Sequence, residues 1–149
     1  MADLCGNTEG IGGWDPGPCI LPSGHGPDHT DGRVHWRTCI FCQIAKGRAP
    51  ATVVRQWHDA IAIVPLDPVV DGHVIVIPKT HVRDVWINPA VSATTMLRAA
   101  ELAQPPCNVI TSAGAEATQT VMHLHIHVVP RRAGDGLALP WTGQKRAAP

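Results

Sequence analysis

The stretch Met122-His123-Leu124-His125-Ile126-His127-Val128-Val129-Pro130 alternates imidazoles with apolar residues. In a strand successive side chains point to opposite faces, so His123, His125 and His127 share one face while Leu124, Ile126 and Val128 fill the other. A helix, turning about 100° per residue, would set His123 and His125 roughly 200° apart. The alternation therefore predicts a strand with a row of imidazoles over a buried apolar face. Strand residues two apart are separated by ~6.6 Å and those four apart by ~13 Å, so the outer pair cannot both crowd one atom. The central His125 can then sit at a reacting centre, with a neighbour on each side free to orient it, protonate a leaving group or bind a metal. Imidazole, with a reference pKa near 6.5, is mostly neutral at pH 7 and competent as a nucleophile towards phosphorus. A metal site built from the three histidines alone would answer the same spacing.

Outward from this row, the chain from Thr38 reads as globular. Ile40 to Lys46 suits a short helix stopped by Gly47, and Val53 to Gln56 and Ala60 to Val64 are extended runs. Asp71-Gly72 is a turn signal before the β-branched run His73-Val74-Ile75-Val76-Ile77, which Pro78 halts; this predicts a hairpin with a long connection, Pro65 to Gly72. Asn88 can cap a helix with Pro89 in its first turn. Ala93, Met96, Leu97, Ala100 and Ala103 then recur at i, i+3, i+4, i+7 and i+10 until Pro105-Pro106 stops it. Val109 to Ser112 and His123 to Val129 complete five strands, joined by a Gly/Ala/Thr loop from Ala113 to Gln119. Strand runs around one long helix predict an α+β domain with a mostly antiparallel sheet.

With 149 residues the chain has room for one ordinary core and a small appendage. Net charge is zero, and there is no Tyr and a single Phe, which argues against a nucleic-acid partner. No apolar run approaches the ~18 residues of a membrane span, and Met1-Ala2-Asp3-Leu4-Cys5-Gly6 lacks the order of a secretory signal. A soluble, cytoplasmic protein is expected.

Residues 1–37 are rich in Gly, Pro, Asp and His and show no sustained hydrophobic period. Cys5, Cys19, His25 and His29 lie here, the last three spaced C-x5-H-x3-H, and four such donors in a small Gly/Pro-rich module suit a structural zinc that supplies folding free energy. A disordered leader with incidental cysteines is the alternative. A second set lies in the main domain, 38–149. Cys39-Ile40-Phe41-Cys42 opens the short helix, His81 follows a strand end, and His123 opens the imidazole row. Together they would close a Cys2His2 site with no free position, so the metal would be structural and would orient the nucleophile two residues on. A redox pair or two buried thiols is the other reading of the C-x-x-C.

Over about residues 38 to 141 the chain resembles the histidine triad family of nucleotide hydrolases and transferases, in its zinc-binding C-x-x-C form. The resemblance rests on the triad itself, Cys39-Ile40-Phe41-Cys42, the Asp67-Pro68 region, Gly72 through His81, Asn108, Gln119-Thr120-Val121 and Pro130-Arg131-Arg132. It implies a five-stranded antiparallel sheet and a homodimer. It also implies that His125 attacks the α-phosphorus of a purine nucleotide conjugate to form a nucleotidyl-histidine, with no cofactor at the chemistry. His127 would hydrogen-bond the phosphate or leaving group, Asp67 the ribose, and Asn108, Gln119 and Thr120 would sit near the phosphate. In relatives, segments like Leu139-Pro140-Trp141 reach towards a dimer partner's active site. Phosphoramidates or dinucleoside polyphosphates are the expected substrates. Two other functions fit the residues: a nucleotide-binding or interaction scaffold without catalysis, and a nucleotidyltransferase of the hexose-1-phosphate uridylyltransferase type.

Overall fold

The computed structural model describes residues 39–138, together with the backbone of two short strands before them. These are β1 (Asp28–Thr30) and β2 (His35–Arg37), paired antiparallel. Cys5, Cys19, His25 and Leu139-Pro140-Trp141 lie outside the described residues, and His29 enters only as a backbone position of β1.

The main sheet contains β3 (Val53–Gln56), β4 (Ala60–Ile63), β5 (Val74–Pro78), β6 (Cys107–Ile110) and β7 (Ile126–Pro130). Its order is β3-β4-β5-β7-β6, every neighbouring pair antiparallel. Helix α1 (Ile40–Ala45) covers one face and α2 (Pro89–Leu102) the other. Alternation along the strands sorts the core accordingly. Ile61, Ile63, Ile75 and Ile77 pack with Phe41 and Ile44 of α1, whereas Ala60, Ala62, Val74, Val76, Ile126 and Val128 pack with Ala99 of α2. Because both faces are covered, β4 and β5 are buried along their whole length, which is why they read as continuous apolar runs. Gly72, at φ +82°, makes the turn into β5, and a Cβ there would stand 3.3 Å from Pro130 Cγ. Among the described residues no helix is long and apolar enough to cross a membrane.

Two expectations need correction. The imidazole row does not open the strand: β7 starts at Ile126, three residues later than the alternation predicts. Its partner β5 ends at Pro78, which has no N–H to offer a further rung, and the Pro78 carbonyl accepts from His123 Nε2 at 2.9 Å. Leu124 N–H turns instead to the Val82 carbonyl at 2.7 Å. In α2 the cap is as expected, with Asn88 Oδ1 accepting from Ala90 and Val91 N–H at 3.1 and 3.2 Å. Most of the apolar stripe that marks the helix, however, faces outward: Ala93, Met96, Leu97 and Ala100 are exposed, Ala103 at the C-cap packs on the core, and Thr95 and Ala99 are the buried residues. Small side chains let the helix approach the sheet closely, and Thr95 is buried without an orphaned hydroxyl because it donates to the Val91 carbonyl at 2.7 Å.

Candidate active site and metal centre

Helix α1 starts at Cys39, its N-cap residue, and brings Cys42 round by one turn beside His81 and His123. The four ligand atoms lie within 4.8 Å of one another. Cys39 Sγ is 3.4 Å and Cys42 Sγ 3.5 Å from His123 Nδ1, Cys42 Sγ is 3.2 Å from His81 Nδ1, and the two Nδ1 atoms are 3.1 Å apart. A tetrahedral ion with S bonds near 2.3 Å and N bonds near 2.0–2.1 Å sets S and N ~3.5 Å apart and two nitrogens ~3.3 Å apart, so the donors can hold a metal with little movement. The histidine roles agree. His123 donates Nε2–H to Pro78, which leaves the Nδ1 lone pair towards the thiols. His81 Nε2 is buried without a partner, so only its Nδ1, in the cluster, has polar company. Hydrogen bonding to Cys42, then to His123 and His81, holds the Cys39 thiol far below the usual thiol range against the opposing effect of burial.

From this cluster one hydrogen bond leads to the face that carries His125 and His127. The His123 carbonyl accepts from His125 Nδ1–H at 2.7 Å. A carbonyl can only accept, so Nδ1 carries the proton and the lone pair of His125 sits on Nε2. Phe41 packs edge-on against the His125 ring with centroids 5.2 Å apart. Burial lowers the His125 pKa, as it lowers that of His73, and carries His127 down to about 4, helped there by neighbouring His125 and His73.

His73 is the residue that the sequence reading missed. Register pairs Ile75 with His127, and Ile75 belongs to the α1 side of the core, so His127 shares that face and His73 lies on it two residues before Ile75. Val69 N–H donates to His73 Nδ1 at 3.2 Å, which places the His73 proton on Nε2, 2.9 Å from His127 Nδ1. His127 Nδ1 therefore accepts, and its own proton is left on Nε2. The available signal was a histidine preceding a strand in the same alternation as Ile75 and Ile77.

The other expected residues are dispersed. Asp67 is exposed in the loop after β4, and Thr120 is exposed beside the row. Gln119 is buried with its amide engaged: Oε1 accepts from Gly114 N–H at 2.8 Å, and Nε2 donates to Arg83 and Val121 carbonyls at 2.6 and 3.0 Å. It braces the Gly114–Val121 loop. Asn108 pairs with Val129, two residues along β7 from His127, and its Oδ1 accepts from Arg131. The β6–β7 pairing ends at Ile110 and His127, and just past it the Thr111 hydroxyl, not Asn108, reaches the His125 backbone.

A sheet of this order with three linked histidines beside a Cys2His2 cluster defines a histidine triad protein. The chain belongs to that family: the HIT domain profile matches residues 46–134, a span that takes in His81 and His123 and begins after the two thiols. An uncharacterized HIT-like protein of Mycobacterium tuberculosis is 34% identical over 111 residues, 68% of this chain and 76% of that protein. Adenosine 5′-monophosphoramidase of Saccharomyces cerevisiae is 30% identical over 114 residues, 72% of each chain. A solved zinc-bound histidine triad protein of Mycobacterium smegmatis is 38% identical with a TM-score of 0.59, covering 68% of this chain and 80% of that one.

Proposed function

We propose that this chain cleaves purine nucleoside phosphoramidates or dinucleoside polyphosphates at the α-phosphorus, through a nucleotidyl-histidine on His125, and releases the nucleoside monophosphate. The observation that carries the reading is the proton placement. The His123 carbonyl takes the Nδ1 proton of His125 and leaves its Nε2 bare, and the neighbouring His127 keeps its own N–H on Nε2 because His73 Nε2–H donates to its Nδ1. One ring is thus set to attack and the other to donate. As the His125 Nε2–phosphorus bond forms, positive charge grows on the ring, and the His123 carbonyl stabilises it at Nδ1–H. His127 Nε2–H would hydrogen-bond the departing atom. Water then displaces His125 from phosphorus, so one difficult displacement becomes two easier ones. Ser112, next to the Thr111 that bonds the His125 carbonyl, would with Thr120 offer neutral hydroxyl donors to phosphate oxygens, and Asp67 would take the ribose hydroxyls.

We assign zinc to Cys39, Cys42, His81 and His123. Bound, it would neutralise the thiolates and supply folding free energy at a site with no open position, which keeps it from substrate. A second zinc on Cys5, Cys19, His25 and His29 belongs to the same proposal, as do a cytoplasmic homodimer and a separate N-terminal module over residues 1–37. The enzyme reading is tested with adenosine 5′-monophosphoramidate. Replacing His125 with Ala should abolish AMP release, while His127→Ala should slow it about 10²–10⁴-fold. AMP release by the His125 variant at the unmodified rate would end the proposal.

A further inference from the structure

We infer that Thr111 is a positioning residue for His125, its hydroxyl holding the backbone of the nucleophile at the place where the sheet stops holding it. The inference rests on His125 being the nucleophile, as proposed above, and names what fixes its aim.

His125 lies just outside both ladders that flank it. The last pair between β5 and β7 is Val76 with Ile126, and the last pair between β6 and β7 is Ile110 with His127. Beyond these, the short segment from His123 to His125 is held by other means. Its Leu124 N–H reaches the Val82 carbonyl, and its His123 carbonyl takes the His125 ring proton. The His125 carbonyl accepts from Thr111 Oγ1–H at 2.8 Å, from one residue past the end of β6. The first of these bonds is wholly backbone, and the second is made by the His125 ring itself. The third depends on a side-chain hydroxyl.

The chemistry favours threonine at this place. A β-branched side chain suits an extended backbone and has few χ1 choices, so the hydroxyl is aimed before it bonds. His125 is only 7% exposed, and a buried carbonyl deprived of its donor is costly to leave unmade. Without the hydroxyl the peptide after His125 would turn to find another donor, and the ring on the same Cα would turn with it. In-line attack tolerates little of this, since a misplacement of about 1 Å can cost ~100-fold in rate. An ordinary edge-strand threonine would show none of these consequences.

Two substitutions separate the hydroxyl from the methyl group. Thr111→Val keeps the shape and loses the donor; Thr111→Ser keeps the donor and loses the methyl. With adenosine 5′-monophosphoramidate, the Val variant should lose about 10–100-fold in kcat with KM within about twofold of the unmodified chain, and the Ser variant should recover most of the loss. Nitrogen-15 spectra of the imidazoles are the second readout. In the Val variant the His125 Nδ1–H and Nε2 signals should move towards a mixture of tautomers, while His73 stays put. This readout does not depend on turnover, so an unmodified chain that fails to release AMP sinks the hydrolase reading and leaves the positioning still measurable. Unchanged kcat and unchanged His125 signals in Thr111→Val would overturn the inference. So would a Ser variant as impaired as Val, or Val and Thr111→Ala variants that fail to fold while Ser does, since each makes the role one of packing or stability.

Discussion

Burial makes an imidazole reluctant to accept a second proton, and three of them, His73, His125 and His127, share this condition on one face. For His125, the proposed nucleophile, the consequence is a ring that stays unprotonated below the ordinary histidine midpoint near 6.5. AMP release should therefore stay level from neutral pH through that midpoint and fall only at lower pH, as His125 takes its proton. Stability follows the same sign. His127 titrates near 4 in the folded protein, well below its unfolded value, so between ~6.5 and about 4 the unfolded chain binds the proton first. Its contribution is fully present above ~6.5 and is lost as pH falls towards 4. Rate profiles and urea melts at a series of pH values check both. An activity midpoint at or above ~6.5 would contradict the burial of the nucleophile.

Helix α1 and its N-cap residue Cys39 carry two of the proposed metal ligands, Cys39 and Cys42, and the Phe41 ring that rests on His125, so metal site, helix and proposed nucleophile behave as one element. Replacing Cys42 with Ala should release one of about two zinc equivalents per chain, lower the melting temperature and slow AMP release; a strong chelator should do the same to the unmodified chain. Full zinc content in the Cys42 variant would refute the assigned ligands. Much at this scale was legible beforehand. The C-x-x-C, His81 and His123 converge as their chemistry demands, Asn88-Pro89 caps α2, and the Asp71-Gly72 turn leads into β5. What stayed hidden depends on partners distant in sequence. Alternation cannot say where pairing ends, because Pro78 on a different strand decides where β7 begins. Nor can it give the register of β6 against β7, which pairs Asn108 with Val129 and takes its side chain to Arg131. Gln119 looked like a ligand donor because an amide shows the same two groups whether it faces phosphate or braces a loop.

On the scale of the whole molecule, the outward stripe of α2 is the feature that bears on the proposed homodimer. Met96 and Leu97 are 43% and 54% exposed, and Ala93 and Ala100 extend the stripe along the helix. Val109, 37% exposed, adds to the apolar surface on edge strand β6, and its partner Val128 belongs to the α2 side of the core. The apolar period that made this helix recognisable is thus turned away from its own core, as expected if a second copy completes the burial. A stable pair needs roughly 800 Å² from each partner with an apolar centre, and Leu97 is well placed to be that centre. A carboxylate there would face its own symmetry mate across a desolvated contact. Leu97→Glu should therefore leave the fold intact, because the side chain contributes little to the core, and convert a dimer into a monomer in sedimentation velocity at micromolar concentration. A Leu97→Glu chain that sediments as the unmodified one does would remove this face from consideration, and an unmodified chain that is monomeric at that concentration would remove the homodimer with it.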